Sequence, residues 1–495
     1  MLDFLRKLES SFKKNGHRNA IYQNGTSYTY AELSLAISKI RSLIQTNTET
    51  NEKVIAVVCH DDLETYASIF ALWFEGRGYL PLNPEMPEIR NEAIVLQSGV
   101  KTILNSKKEN LFLKHRVIHS ADLSATEVNQ PSLIVSDSCI AYYLFTSGTT
   151  NLPNCVPITF SNLESFIRSF NRLGFDFSFR DRFLQMFELT FDLSIVSFIM
   201  PLFYGACVYT VPRGKIKYSY IAELIEDYHI TVALLTPSIL TLLRPHFKDI
   251  KASSLRYCFF CGEALHADIV EEWFKCIPNA TIYNFYGPTE NTIFCTSYAV
   301  KRFGNNESCN GILSIGKPME SNIVLIVDEE DKSLANGKVG ELCLAGPQLT
   351  MGYWNNHERN AAAFLNITTD GATNMFYKSG DLCKYSENGN LLYIGRKDLQ
   401  VKVQGHRVEL SEIEFHVKTF LKSTTIAVRY IHSEIILFIE SSEFETFDLM
   451  AYLKKNLPFY MLPKRIEFID TIKLNSSGKT DNSYFKSLMI KNENR

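Results

Sequence analysis

Short apolar runs alternate with amphipathic stretches over most of the chain. KVIAVVCH (53–60) precedes the helical DLETYASIFALWFEG, and SLIVSDSCIAYYLF (132–145) runs into a loop of Ser, Thr and Gly. ITVALLTP (230–237) precedes SILTLLRPHF, and LRYCFFCG (255–262) precedes ALHADIVEEWFKCI. A short apolar run followed by a stretch of helical period reads as a strand–helix unit. Repeated units of this kind predict parallel sheets covered by helices. The first twenty residues mix charged and apolar positions from the third onward, which predicts an amphipathic helix and no long apolar signal core.

The pattern changes after about Asn310. SNIVLIVDEEDK, GKVGELCLAG and YKSGDLCKYSENGNLLYIG read as hairpins with polar turns, a mainly antiparallel section. A further change comes at GRKDLQVKVQGHRVELSEIE (395–414), after which short strands and helices follow on their own. The expected fold is α/β + β. A large N-terminal domain, residues 1–397, holds two helix-covered, mainly parallel sheets and a distorted barrel section over about 310–397. A small α+β domain, residues 398–495, follows. The boundary is expected at Asp398–Leu399, inside an exposed-looking charged cluster between two strand-like runs.

Composition narrows the class without fixing it. The 495 residues are 45% apolar and 21% charged, with 34 Phe and 24 Tyr to fill cores, as in an ordinary water-soluble protein. The net charge of −3 gives no nucleic-acid surface. No apolar run approaches the ~20 residues that cross a bilayer, so no membrane association and a cytoplasmic location are expected. Eleven cysteines, an odd number spread mostly singly, suit reduced thiols better than a disulfide framework. Cys258 and Cys261 have C-x-x-C spacing, but no second ligand pair accompanies them. Two cysteines on a buried strand is the expectation.

Five stretches carry candidate chemistry. In FTSGTTNLPNCVPIT (145–159) a strand-like run ends in Thr146, Ser147, Gly148, Thr149 and Thr150. Hydroxyls and backbone N–H groups there can hold phosphate oxygens, or simply make a solvated turn. No Walker-type lysine is present. In NFYGPTENT (284–292), Tyr286 offers a flat ring for a base, Thr289 a hydroxyl, and Glu290 a hard oxygen ligand for Mg²⁺. In YKSGDLCKY, Asp381 is a carboxylate with acceptor capacity for both hydroxyls of a diol. The fourth is the 395–414 stretch, otherwise a charged linker. The fifth, LNSSGKTDN (474–482), puts Lys479 in a Ser/Gly turn.

Together and in this order, these stretches resemble the superfamily of AMP-forming adenylating enzymes, specifically the adenylation domains of peptide synthetases and the D-alanine–carrier protein ligases. The resemblance runs from SYTYAEL (27–33) and GYLPLNPEMPEIR (78–90) to SGKTD near the C-terminus. It implies that a carboxylate is joined to the α-phosphate of ATP with release of pyrophosphate, and that the acyl group then passes to a thiol. By the same matching, Thr146–Thr150 would hold the β/γ-phosphates. Gly262, Glu263, Tyr286, Gly287, Asp381, Arg396 and Lys479 would complete the ATP site, with Asp381 on the ribose. Thr289 would contact phosphate, Glu290 would bind Mg²⁺, and Lys479 would bridge the substrate carboxylate and the α-phosphate. Such a site works by positioning and charge neutralisation. Asp398 matches the family's hinge, about which a mobile C-terminal domain would withdraw Lys479 and bring the Gly405 segment in for thiol transfer.

Asp192 in FDLSIVSFIM matches the carboxylate that pairs with the ammonium of an amino acid substrate; a helix N-cap is the plainer alternative. The rest of the substrate pocket would be Leu193, Val196, Leu234, Phe259, Cys261, Phe285, Ile293 and Phe294, apolar apart from one thiol. That argues against charged side chains and for a small or modest apolar amino acid. FFCGEAL resembles the D-alanine ligases, which makes D-alanine a candidate, while Phe285 and Phe294 leave an aromatic substrate open.

The phosphate loop departs from the family pattern. Asn151, Asn154 and Cys155 stand where glycines and a lysine are usual, so weakened ATP binding or slower turnover is expected. Only 16 residues follow Lys479, so a free-standing, monomeric enzyme that loads a separate phosphopantetheine carrier protein is expected. Two alternatives are an aryl- or fatty-acid ligase, possibly using coenzyme A, and a weakened or non-catalytic nucleotide-binding relative.

Overall fold

The computed structural model describes residues 3–109, 112, 114–121, 127–128, 136–147, 153–369, 371–398, 400–422, 425–440, 446–472 and 485. The chain divides into two compact units. The first comprises residues 1–84, 95–145 and 155–397, and the second residues 85–94, 146–154 and 398–495.

The first unit contains two helix-covered sheets of parallel core. In the larger, nine-stranded sheet the parallel run is ordered Thr281–Tyr286, Tyr257–Phe260, Val232–Leu235, Arg182–Gln185, Cys207–Thr210 and Asn19–Gln23. Antiparallel strands close both edges, Thr26–Thr29 at one end and Thr296–Val300 then Lys317–Pro318 at the other. The six-stranded sheet orders Arg116–His119, Thr102–Asn105, Val54–Val58, Gly78–Leu82, Ile140–Thr146 and Asn154–Thr159. Every residue of Val54–Val58 and Gly78–Leu82 is buried. Strands covered on both faces have no polar side to show, so they read as continuous apolar runs.

The helices begin where side chains can take up free N–H groups. Thr29 and Glu32 form a reciprocal capping box, Thr159 and Asn162 another, and Asp62 caps the helix Leu63–Phe74. The N-terminal stretch forms the expected helix, Asp3–Lys14, and buries Phe4, Leu5, Leu8 and Phe12.

A five-stranded antiparallel sheet fills the section read as barrel-like. It runs Ile323–Val327, Gly340–Ala345, Ala372–Tyr385 and Phe364–Thr369, with Leu391–Arg396 also paired to Ala372–Tyr385. Bulges between Glu341 and Cys343 and between Leu382 and Cys383 shift its register, which bends a sheet and raises its twist.

Within the second unit, the hairpin Gln400–Val403/His406–Glu409 turns on Gln404 and Gly405, both at positive φ, the backbone that a two-residue hairpin turn demands. The strands Ile426–Ile431, Glu434–Glu440 and Arg465–Ile469 form a three-stranded sheet. With the helices Leu410–Leu421 and Phe447–Asn456 it encloses Ile413, Val417, Val428, Leu437, Leu449 and Leu453. Arg90 and Glu412 form a buried ion pair at 2.6 Å in this unit. Burial raises the Glu412 carboxyl above its ordinary range, and the Arg90 charge opposes that rise.

Candidate active site

The helix Asp192–Tyr204 packs on the larger sheet of the first unit, against the strands Arg182–Gln185 and Cys207–Thr210. Asp192 is the first residue of this helix. Phe191 occupies the capping position and makes no side-chain cap, so the plain N-cap alternative does not describe Asp192. Its side chain is 8% exposed, on a helix otherwise made of apolar and hydroxyl residues. The phenols of Tyr79 and Tyr142, fully buried on adjacent strands, titrate high because of burial, and the Asp192 charge adds to the effect in both. Neither hydroxyl has a hydrogen-bond partner among the described residues.

Leu193, Val196, Leu234, Phe259, Cys261, Phe285, Ile293 and Phe294 are all buried and belong to one apolar cluster. Val196, Leu234, Phe259 and Phe294 line a cavity of about 20 Å³ together with Phe170, Phe183, Leu184, Ser197, Met200 and Val232. The only polar residue of that wall, Ser197, donates its hydroxyl to the Leu193 carbonyl at 2.8 Å. Phe285 and Phe294 stack on each other at 4.3 Å and 15°. Cys258 and Cys261 are buried thiols outside any disulfide, and burial pushes Cys258 up to about 12.

A polar cluster forms at the end of the strand Thr281–Tyr286. The Tyr286 hydroxyl donates to Asp381 Oδ2 at 2.5 Å, while Arg396 donates to Asp381 Oδ1 at 2.9 Å and to the Ser379 carbonyl at 2.9 Å. Asp381 and Arg396 face each other in register across an antiparallel strand pair, which is what brings them together. Burial and the Asp381 charge raise the Tyr286 phenol well above its ordinary range, so it remains a donor. Each carboxylate oxygen has a second lone pair, which leaves acceptor capacity for a diol.

Glu290 is fully buried and accepts the Tyr353 hydroxyl at 2.7 Å. Gly287 is sterically obligatory, since a Cβ there would lie 2.3 Å from the Phe294 Cα. Thr292 and Ile293 follow at φ +49° and +72°, left-handed backbone that β-branched residues rarely adopt and that costs about 1–3 kcal/mol per residue. The buried Gln348 side chain holds this turn. Its amide donates to the carbonyls of Asn291, Thr292 and Phe294 at 3.3, 3.3 and 3.0 Å, and the Thr292 hydroxyl donates to the Gln348 carbonyl at 2.5 Å.

Thr289 is half-buried in the short turn Thr289–Asn291. Gly262 sits at φ +94°, and Glu263 accepts the backbone N–H of Ser238 at 2.8 Å at the start of a helix. Thr146 is 8% exposed, and its hydroxyl has no hydrogen-bond partner among the described residues. Ser147 donates its hydroxyl to the Arg407 carbonyl at 2.8 Å. Asn154 and Cys155, which stand where the family pattern usually has a lysine and a glycine, are buried at the start of the strand Asn154–Thr159. Asp398 accepts the Gln400 N–H at 3.1 Å, and Gly405 lies in the hairpin turn. Gly148, Thr149, Thr150, Asn151 and Lys479 lie outside the described residues.

The strings quoted from the sequence do not contain Gln348, Tyr353, Phe166 or Phe170. Phe166 and Phe170 lie four apart on the helix Phe160–Asn171, a same-face spacing that was available to find them.

Within the first unit the donor set suits a nucleotide: a buried carboxylate with spare acceptor capacity at Asp381, and one buried carboxylate at Glu290. No group of three or more His, Cys, Asp or Glu side chains that could hold a metal occurs among the described residues. A single carboxylate suits Mg²⁺, which keeps water and takes substrate phosphates as ligands.

Residues 8–354 match the family described as AMP-binding enzyme. The chain belongs to that family, the AMP-forming ligases. It is 31% identical over 484 residues to zwittermicin A synthase ZmaJ of Bacillus cereus, covering 92% of this chain and 89% of that one. It is 27% identical to the D-alanine–D-alanyl carrier protein ligase of Lacticaseibacillus paracasei, covering 94% of each. Tyrocidine synthase 3 of Brevibacillus parabrevis is 28% identical over 92% of this chain, which spans only 7% of that protein's length. Among solved structures, the Vibrio cholerae adenylation domain AlmE, in complex with glycyl-adenosine-5'-phosphate, superimposes with a TM-score of 0.87 at 26% identity, covering 99% of this chain and 98% of that one. No described helix is long and apolar enough to cross a membrane.

Proposed function

We propose that this chain activates a small or apolar amino acid as its aminoacyl adenylate and passes it to the phosphopantetheine thiol of a separate carrier protein. The observation that carries this reading is Asp192, a nearly buried carboxylate that opens a helix whose next residues, Leu193 and Val196, belong to the apolar cluster. A carboxylate at this place is complementary in charge to a substrate ammonium. An aryl or fatty acid offers no such charge, which disfavours the ligase alternative of that type.

In the proposed reaction a substrate carboxylate oxygen bonds to the α-phosphorus of ATP, and the bond to the bridging oxygen breaks, releasing pyrophosphate. The carrier's sulfur then bonds to the acyl carbon, the thiol proton leaves, and AMP departs with the electron pair of the broken C–O bond. Asp192 holds the ammonium, Asp381 the ribose hydroxyls, and Tyr286 and Arg396 hold Asp381 in place. Glu290 would hold Mg²⁺, which when bound neutralises phosphate charge. Thr289 and the Thr146–Thr150 loop contact phosphate, and Lys479 bridges the two reacting anions. Asp398 is the hinge and the Gly405 segment serves the thiol step. D-Alanine is retained as a candidate substrate, supported by the similarity to a D-alanine–D-alanyl carrier protein ligase.

The test is amino-acid-dependent ATP–pyrophosphate exchange across L- and D-amino acids, with Asp192→Ala and Lys479→Ala alongside. Exchange lost in both variants is expected. Exchange driven by aryl or fatty acids and unchanged in Asp192→Ala would overturn the reading. Restoring the usual loop with Asn151→Gly, Asn154→Lys and Cys155→Gly tests whether the altered loop slows turnover; an unchanged rate and ATP affinity would dismiss that idea.

A further inference from the structure

We infer that Tyr353 is a positioning residue of the metal site: its hydroxyl fixes one oxygen of Glu290, so that the carboxylate meets a cation through a single oxygen and the site prefers Mg²⁺ to Ca²⁺. This rests on the reading, proposed above, that Glu290 holds Mg²⁺.

Glu290 is gripped at both ends by one short segment. Its backbone carbonyl accepts the Thr350 N–H at 2.8 Å, and its carboxylate Oε1 accepts the Tyr353 hydroxyl at 2.7 Å. The segment is itself pinned to a neighbouring strand. The Thr350 hydroxyl donates to the Pro157 carbonyl at 2.5 Å, and the Trp354 N–H to the Cys155 carbonyl at 2.9 Å.

Tyr353 has little freedom of its own. The Asn360 side-chain amide accepts its N–H at 2.7 Å and donates to its carbonyl at 2.9 Å, as a paired strand would. Gly352, just before it, sits at φ +119°, and a Cβ there would lie 2.9 Å from Asn360 Oδ1, so this close approach needs glycine. The Tyr353 ring meets Phe364 edge-on at 5.7 Å and is 3% exposed. The Tyr377 hydroxyl lies 3.4 Å from the Tyr353 hydroxyl and completes a chain of two hydroxyls that ends on the carboxylate.

A hydrogen bond from a hydroxyl to a carboxylate is charge-assisted and roughly twice as strong as a neutral one. With Oε1 engaged in this way, the carboxylate turns its other oxygen to a cation. Ca²⁺ takes about 6–8 oxygen ligands in flexible geometry and often uses both oxygens of one carboxylate. Mg²⁺ demands near-ideal octahedral geometry, which the narrow bite of a two-oxygen carboxylate disturbs. Holding Oε1 away from the cation therefore favours Mg²⁺. Partners that orient a metal ligand are worth about 10–100-fold in metal affinity.

The experiment reads binding rather than turnover. The full chain is titrated by calorimetry with α,β-methylene ATP, which cannot lose pyrophosphate, at a series of free Mg²⁺ or free Ca²⁺ concentrations. Tyr353→Phe keeps the ring and its contacts and removes only the hydroxyl. It is expected to raise the free Mg²⁺ needed for half-saturation by about 10-fold or more, and the free Ca²⁺ by less, so the preference for Mg²⁺ shrinks. Tyr377→Phe is expected to act in the same direction by less. The KM for the amino acid in pyrophosphate exchange stays put in both.

A tyrosine with a merely structural role would lower the denaturant midpoint and leave the ratio of the two cation values alone. That result overturns the inference, as does an unchanged Mg²⁺ value in folded Tyr353→Phe, or a larger effect from Tyr377→Phe. If Tyr353→Phe does not fold, Tyr377→Phe decides: a reduced preference for Mg²⁺ supports the inference and an unchanged one overturns it. Glu290→Gln tests the underlying reading separately. A Mg²⁺ dependence that survives this change unaltered overturns the assignment of Mg²⁺ to Glu290, whatever Tyr353→Phe does.

Discussion

Around Phe294 the side chains are held by packing. Five rings share one buried cluster, and the one polar side chain on the cavity wall satisfies itself within its own helix. Around Asp381 and Glu290 the side chains are held by directed hydrogen bonds: Tyr286 and Arg396 to Asp381, Tyr353 to Glu290, Gln348 to three turn carbonyls. The two regions meet at Gly287–Phe294, where one strained turn serves both. Packing is non-directional and tolerates a change of chemistry at constant volume. A hydrogen-bond cluster tolerates a change of volume poorly and a change of chemistry worse, because each buried polar atom left over costs the desolvation of that atom.

Asp192→Ala gives the largest expected effect. Removing one partner of a buried charge pair costs about 3–5 kcal/mol, so kcat/KM for the amino acid should fall by roughly a hundredfold or more while the KM for ATP stays put. A rise in the ATP KM instead would show that the two regions are not separable. Next comes Asp381→Asn, which keeps the volume and removes the charge. Hydrogen bonds to charged groups contribute about 1.5–3 kcal/mol, so the ATP KM should rise roughly tenfold to a hundredfold with the amino acid KM unchanged.

Gln348→Leu is nearly isosteric and strands the carbonyls of Asn291, Thr292 and Phe294. A loss of about 1–3 kcal/mol of stability is expected, read as a lower denaturant midpoint at constant slope. Phe285→Leu, a mild all-apolar change in the packed region, should cost about 1–2 kcal/mol by the same measurement. If Phe285→Leu proves costlier than Gln348→Leu, the contrast between the regions fails. Tyr353→Phe is the smallest step, removing one hydroxyl from Glu290 at about 1 kcal/mol.

The strand–helix alternation was legible because each element carries its own period, and the antiparallel section because its hairpins are local. Glu290 and Asp381 stood out by the chemistry of their own short strings, while Asp192 and Arg396 were assigned only by the family resemblance. Gln348 and Tyr353 sit in AGPQLTMGYW, a stretch with no such signature, and act only because the fold returns them to the Thr289–Ile293 turn. The sequence also left Phe285 and Phe294 free to face an aromatic substrate. In the structure their rings face each other.

The order of residues alone determined the elements and the family, since periodicity and short strings are properties of neighbours along the chain. Only the tertiary structure decided the shape of the apolar cavity that the helix Asp192–Tyr204 helps to line. That space is what remains after residues from the helices Phe160–Asn171 and Asp192–Tyr204, the strands Arg182–Gln185, Val232–Leu235 and Tyr257–Phe260, and Phe294 have packed. A volume left between distant segments is set by all of them at once, and no one of them carries it.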